Sequence, residues 1–198
     1  MGKIYYLMGK SSSGKDTIYK KIIENKELNM KTLVGYTTRP IRDGETEGVE
    51  YHFVDEKMMM TMEGRGMVIE RRNYNTVYGV WSYFTAHDGQ VDLSKWDYLL
   101  IGTLESYTKV RDYYGSDKVV PIYINVDDGV RLMRALKREM NAEDPKYTEM
   151  CRRFIADQED FSEEKLSSAG IVKRFQNDDL ERCLQEIFRE ITKLEGDE

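Results

Sequence analysis

The run Gly9-Lys10-Ser11-Ser12-Ser13-Gly14-Lys15-Asp16-Thr17 constrains this chain more than any other stretch. It follows the apolar segment Ile4-Tyr5-Tyr6-Leu7-Met8 and precedes a helical pattern carrying Ile18, Ile22 and Ile23. Strand, glycine-bounded loop and helix in that order predict a phosphate-binding loop, with a lysine directly after the second glycine. Glycines permit backbone torsions that a Cβ forbids, so successive N–H groups can turn inward onto phosphate oxygens. The helix that follows aims its positive end at the same point. Gly9, Ser12, Ser13, Gly14, Lys15 and Thr17 are therefore the candidate contacts to a nucleoside triphosphate. The motif wants Ser or Thr after the lysine, to place a hydroxyl on Mg²⁺. Here Asp16 stands there and Thr17 follows. Either can reach the metal, Asp16 directly or through water, or Asp16 simply favours the positive helix start; the sequence leaves these readings open.

The remaining bulk properties narrow the class. A length of 198 residues suits one domain, on a scale of about 100–200 residues per domain. A net charge of −6 argues against a general nucleic-acid or membrane-surface binder, so any polyanion site must be a local basic cluster. Cys151 and Cys183 lack metal-site spacing and suit a reducing interior, and the two histidines, His52 and His87, make a His-based metal site an unlikely design. The apolar start is too short for a signal peptide or membrane span, which makes the cytoplasm the expected compartment.

Along the chain, segments 3–8, 32–35, 97–102, 119–126 and 171–175 read as buried strands, and helical patterns lie near 15–28, 104–114, 128–141 and 180–194. That alternation predicts an α/β fold, a parallel sheet flanked by helices, with ligands outside the carboxyl ends of the strands. Residues 36–96 differ in character and read as a small, mostly β insertion. Residues 134–153, rich in Arg and Lys, read as a second insertion between two helices. The expected organisation is one domain over 1–198, with a core of 1–35, 97–133 and 154–198.

Within the insertion, Thr37-Thr38-Arg39-Pro40-Ile41-Arg42-Asp43-Gly44-Glu45 places two arginines in a turn-rich segment. Guanidinium forks match phosphate oxygens bidentately, so beside a triphosphate loop this predicts a receptor for a second phosphate. Tyr51 and Tyr78 can add hydroxyl donors. For Arg131, Lys137 and Lys146 the expectation is a solvated helix face.

Taken together, Thr37-Thr38-Arg39-Pro40-x-Arg42-x-Gly44-Glu45, Gly48-x-x-Tyr51-x-Phe53-Val54, Val68-Ile69-Glu70, Tyr78-Gly79 and Asn177-Asp178-Asp179-Leu180 resemble the motifs of guanylate kinases, and they span nearly the whole chain. The resemblance implies an ATP-dependent nucleoside monophosphate kinase, using Mg²⁺ with ATP as phosphoryl donor and GMP as the leading acceptor. It places Arg39, Arg42, Glu45, Tyr51, Tyr78 and Thr103 at the acceptor. It makes Glu70 the partner of N1–H and the 2-amino group of guanine. It makes residues 134–153 a lid. It assigns Lys15, Arg134, Arg138 and Arg153 to catalysis, with Arg152 as an alternative to Arg153, and Asn177 to the adenine. Partners are ATP and the nucleotide, with no nucleic acid or membrane, in a monomer or homo-oligomer.

The chain also departs from the family pattern. A serine usual near Gly35 is missing, Val80 follows Tyr78-Gly79 in place of Ser or Thr, and the third core strand ends without its Asp-x-Asp pair. Ribose 1,5-bisphosphate phosphokinases, relatives on the same fold, also resemble this chain in Gly-Lys-Asp and in lacking that acidic pair, but do not keep a second arginine and Gly-Glu as Arg42 and Gly44-Glu45 do. A sugar-phosphate kinase is thus the rival enzyme. A non-catalytic domain binding a phosphorylated protein segment is the rival of another class.

Overall fold

A computed structural model describes residues 2–76 and 79–196. Its centre is a five-stranded sheet in the order β2 (Lys31–Thr32), β7 (Tyr98–Gly102), β1 (Ile4–Gly9), β8 (Val119–Asn125), β9 (Phe175–Gln176), and every pairing in it is parallel. A strand with neighbours on both edges and helices on both faces must be apolar throughout, and β1 is buried at every position. Alternate side chains leave opposite faces of a strand. Ile4, Tyr6 and Met8 join one core with Leu104, Tyr107 and Val110 of α3 (Leu104–Tyr114). Tyr5 and Leu7 join another with Ile18 and Ile22 of α1 (Lys15–Glu24) and Leu184, Ile187 and Ile191 of α7 (Leu180–Gly196). Burying each such side chain contributes about 1.5–3 kcal/mol.

The expected helices form with their caps. Thr103 accepts from Ser106 N to start α3, and Asp127 accepts from Val130 N to start α4 (Asp128–Met140). Several boundaries differ from expectation, among them the second strand, which is Lys31–Thr32 rather than 32–35. α1 stops at Glu24 rather than near 28, because Asn25 N closes on Ile22 O while its side chain accepts from Glu27 N. The last strand is Phe175–Gln176 rather than 171–175, since Ile171 N donates to Leu166 O and Val172 N to Gly170 O, closing the end of α6 (Glu163–Ser168) instead of pairing with β8.

The stretch between β2 and β7 carries a second sheet in the order β4 (His52–Phe53), β3 (Tyr36–Thr37), β6 (Gly79–Ala86), β5 (Val68–Thr76), with α2 (Glu56–Gly64) against it. α4 leads through residues 141–146 into α5 (Tyr147–Asp160).

Candidate active site

β1 delivers the glycine loop to the carboxyl edge of the main sheet. A Cβ on Gly9 would lie 2.7 Å from Ile124 O and 2.9 Å from Ser13 Oγ, so only glycine lets the loop lie against β8. Gly14 starts α1 at φ +85°, and a Cβ there would meet Asn177 Nδ2 at 2.5 Å. The Asn177 amide donates to Ser13 O at 2.7 Å and the residue is 4% exposed. Asn177 thus braces the loop, a role beside the one at the adenine that the resemblance implies. Arg134 Nη2 donates to the Asn177 carbonyl at 3.0 Å, which sets this lid arginine beside the loop. Lys15 is half-buried, while Asp16 and Thr17 are exposed on the first turn of α1.

The outer edge of the loop rests on a buried charge network that the sequence reading missed. Arg131, expected on a solvated face, is 1% exposed. Its Nε and Nη2 donate to Asp128 Oδ1 at 3.0 and 2.7 Å, and its Nη1 donates to Ser11 O at 2.9 Å and Asp157 Oδ2 at 3.2 Å. Asp157 Oδ2 also accepts from Ser11 N at 2.8 Å, so both sides of Ser11 are held. Lys10 Nζ donates to Gln158 Oε1 at 2.8 Å, and Gln158 donates in turn to Asp128 Oδ2 at 2.7 Å. The signal was available: positions 131, 134 or 135, and 138 fall on one helical face, and 134 and 138 were already assigned to the site.

The other lid arginines are exposed and paired with carboxylates of their own helices. Arg138 donates to Glu139, and Arg152 and Arg153 both donate to Glu149. Arg152, and to a lesser degree Arg153, pull the Glu149 carboxyl down to about 2.

The residues expected at a second phosphate lie on the insertion. Thr37 Oγ1 donates to Ser82 O, and Ser82 N donates to Thr38 Oγ1, pinning the segment before Arg39 onto β6. Arg39 is 4% exposed, lies over the Tyr51 and Phe53 rings, and meets Glu45 through two bonds of 2.6 Å. Glu45 Oε2 also accepts from Arg42 N, and the Arg39 contact holds its carboxyl below the usual range. Arg42 is exposed beside this pair. Tyr78 lies outside the described residues.

At the base end, Glu70 on β5 has a side chain with no exposed surface. Its Oε1 accepts from Thr85 Oγ1 at 2.8 Å and Arg72 Nη2 at 3.3 Å, and its Oε2 accepts from Arg72 Nε at 3.0 Å. Arg72 Nη1 donates to Thr103 Oγ1 at 3.2 Å. Burial works to lower the Arg72 pKa, but the Glu70 carboxylate opposes it and the net shift is upward. Thr103 is thus held against Arg72 at the end of β7. Arg72 was not anticipated, although a residue two positions along a strand from Glu70 shares its face.

The chain is similar in sequence and fold to guanylate kinases. A family model described as guanylate kinase matches residues 1–88. The guanylate kinase of Legionella pneumophila is 39% identical over 79 residues, 39% of this chain and 37% of that relative. That of Malacoplasma penetrans is 28% identical over 160 residues, 78% of this chain and 76% of the relative. A crystal structure of guanylate kinase from Anaplasma phagocytophilum superposes with a TM-score of 0.64 at 23% identity, covering 97% of this chain and 85% of that one.

The chain resembles guanylate kinases in sequence over residues 1–88 and shares their fold over nearly its whole length. The matched stretch nonetheless spans well under half of the Legionella relative. The family match covers the glycine loop and the Arg39–Tyr51 segment, and it ends near β6. Gly35 and Val80 depart from the family pattern: Gly35 lies against the Tyr51 ring and Val80 is 48% exposed on β6. Arg72, on β5 of the same sheet as Val80, donates to Thr103.

Proposed function

We propose that the protein is an ATP-dependent nucleoside monophosphate kinase that moves the γ-phosphoryl group of ATP onto the phosphate of GMP. The observation that carries this reading is the pairing of two phosphate-type sites in one chain. The glycine loop is braced at the carboxyl edge of the main sheet by Asn177, Arg131 and Asp157. The insertion holds Arg39 over the Tyr51 ring with Arg42 exposed beside it. In-line transfer needs little else from the protein than positioning and charge stabilisation.

An oxygen of the acceptor phosphate attacks the γ phosphorus, forming one P–O bond as the bond to the β–γ bridging oxygen breaks and ADP leaves. Lys15 and the loop N–H groups hold the donor phosphates. Arg39, Arg42 and Tyr51 hold the acceptor phosphate. Arg134 stands at the loop already, and Arg138 and Arg153 meet the transferring group when they turn from Glu139 and Glu149. These arginines exclude water as well as stabilising charge, which favours transfer over hydrolysis. A module that only bound a phosphorylated segment would use Arg39 and its neighbours without need of a braced glycine loop.

Mg²⁺ fits this site as an ion carried by ATP. Among the described residues no three His, Cys, Asp or Glu side chains cluster to hold a metal. Mg²⁺ keeps several waters and takes phosphate oxygens with one or two protein ligands, and Asp16 and Thr17 stand next to Lys15 in the right chemistry. When bound, the ion neutralises phosphate charge. We place the protein in the cytoplasm; among the described residues no helix is long and apolar enough to cross a membrane.

The test is ADP release from ATP with GMP, IMP, AMP, CMP, UMP and ribose 1,5-bisphosphate as acceptors, with Mg²⁺ titrated in each. GMP-dependent ADP release that requires Mg²⁺ is expected. Activity confined to the sugar bisphosphate, or no acceptor-dependent release at all, contradicts the reading.

A further inference from the structure

We propose that Arg72, not Glu70, reads the base of the acceptor, through O6 and N7 of a 6-oxopurine, and that Glu70 is the positioning residue that aims it. This deepens the nucleotide kinase reading above and rests on it. Glu70 presents no surface to a ligand. Its side chain is 0% exposed, and its oxygens accept from Arg72 Nε, Arg72 Nη2 and Thr85 Oγ1. For Glu70 to accept from N1–H and the 2-amino group of guanine, Arg72 must first leave it. That step severs a charge-assisted pair in buried surroundings and strands a guanidinium beside the ligand.

Arg72 is the group the pocket does present, with 16% of its side chain exposed. A guanidinium carries five N–H donors. Among the described residues Arg72 engages one on Nε, one on Nη2 and one on Nη1, which leaves one N–H on each terminal nitrogen. Because Nε and Nη2 share Glu70, the free N–H of Nη2 points along the guanidinium axis beside Nη1, and with Thr103 taking the Nη1 hydrogen on the Cδ side the two that remain make a fork. Such a fork matches two adjacent acceptors, and guanine O6 with N7 is the pair that arginine takes most often. Adenine puts a donor beside N7 and is rejected. The 2-position lies on the far side of the ring from N7 and goes unread.

The surroundings fix the fork in place. Thr103 Oγ1 accepts from Arg72 Nη1 and also from Ser106 N at the start of α3, so the guanidinium is tied to a helix cap on one side and to Glu70 on the other. Thr85, directly across from Glu70 in the β5–β6 register, locks the carboxylate. The usual hydroxyl beside Gly35 is absent from this chain, so the fork carries discrimination largely by itself.

The experiment measures kcat/KM for GMP, IMP, AMP, CMP and ribose 1,5-bisphosphate on the parent, Arg72→Lys and Glu70→Gln. Lysine keeps a cation for Glu70 and loses the fork, so the variant is expected to fold. GMP and IMP should agree within about threefold, and both should exceed AMP by about tenfold or more, the range of one bidentate base contact. Arg72→Lys should reduce the GMP-to-AMP and IMP-to-AMP ratios together by a similar factor. Glu70→Gln should raise KM for GMP and IMP alike with a smaller change in kcat, since it loosens the aim of Arg72 and touches no reacting atom. A parent that prefers GMP over IMP tenfold, with Glu70→Gln erasing that gap, shows Glu70 reading the 2-amino group and overturns the proposal while leaving the kinase reading intact. An unchanged GMP-to-AMP ratio in Arg72→Lys, or a preference for CMP, also overturns it. If only the sugar bisphosphate is phosphorylated, the nucleotide kinase reading fails and this proposal with it.

Discussion

Arg131 and Arg72 are each buried against a carboxylate of their own element, Arg131 on Asp128 of α4 and Arg72 on Glu70 of β5. Arg131 is 1% exposed, and its donors go to Asp128, Asp157 and the Ser11 carbonyl, all of them groups of the protein itself. Arg72 keeps some surface, and among the described residues one N–H on each of its terminal nitrogens has no protein partner. The first arginine therefore builds the donor-phosphate loop without touching phosphate. The second is aimed at a ligand by its neighbours. Burial and pairing alone do not separate a scaffold arginine from a reading one; the direction of the remaining donors does.

The comparison can be broken first at Lys15, where the largest effect belongs. Lys15→Ala removes the lysine placed for the donor phosphates while leaving the Arg131 network untouched. Turnover should fall by about 10³-fold with the melting temperature unchanged. Near-parental turnover contradicts the assignment of the loop. The lid sharpens the contrast next. Arg138 and Arg153 are exposed and held by Glu139 and Glu149, so they have neither the burial of Arg131 nor the fixed aim of Arg72. Alanine at either should lower kcat by about 10²-fold with a smaller rise in the ATP KM. If KM alone changes, these arginines are ground-state binders.

The smallest catalytic effect, and the largest on stability, belongs to Arg131. Arg131→Met strands Asp157 and Asp128 and should destabilise by about 3 kcal/mol, the low end for a severed buried pair because Asp128 stays open to water. In a chain of this size that is a fall in Tm on the order of 6–12 °C. A parental Tm contradicts the scaffold role.

These contrasts also show where the sequence was legible. β1, the glycine loop and α3 announce themselves through an unbroken apolar run, two glycines in a fixed frame and a Thr cap. The arginine pair of the insertion is equally plain, since Arg39 and Arg42 sit in one turn with Glu45. Residues 171–174 mislead, because the backbone N–H groups of Ile171 and Val172 close the end of α6 rather than pair with β8. The base pocket and the Arg131 network are hidden for a different reason. Each depends on which donors of a guanidinium meet which oxygens across elements distant in sequence, Arg72 with Thr103 and Arg131 with Ser11. Side-chain periodicity marks the right face in both cases, but charge on that face reads as solvent exposure until the partners are known.

The most direct measurement of the central claim sets the two arginines side by side, comparing Tm and equilibrium GMP affinity for Arg131→Met and Arg72→Lys against the parent. The expected result is a crossed pattern. Arg131→Met melts several degrees lower and binds GMP within about threefold of the parent at low temperature. Arg72→Lys melts within about 2 °C of the parent and binds GMP about tenfold or more weakly. If Arg72→Lys binds GMP like the parent, or if Arg131→Met keeps its Tm and loses GMP affinity, the division between a scaffold arginine and a reading arginine is wrong.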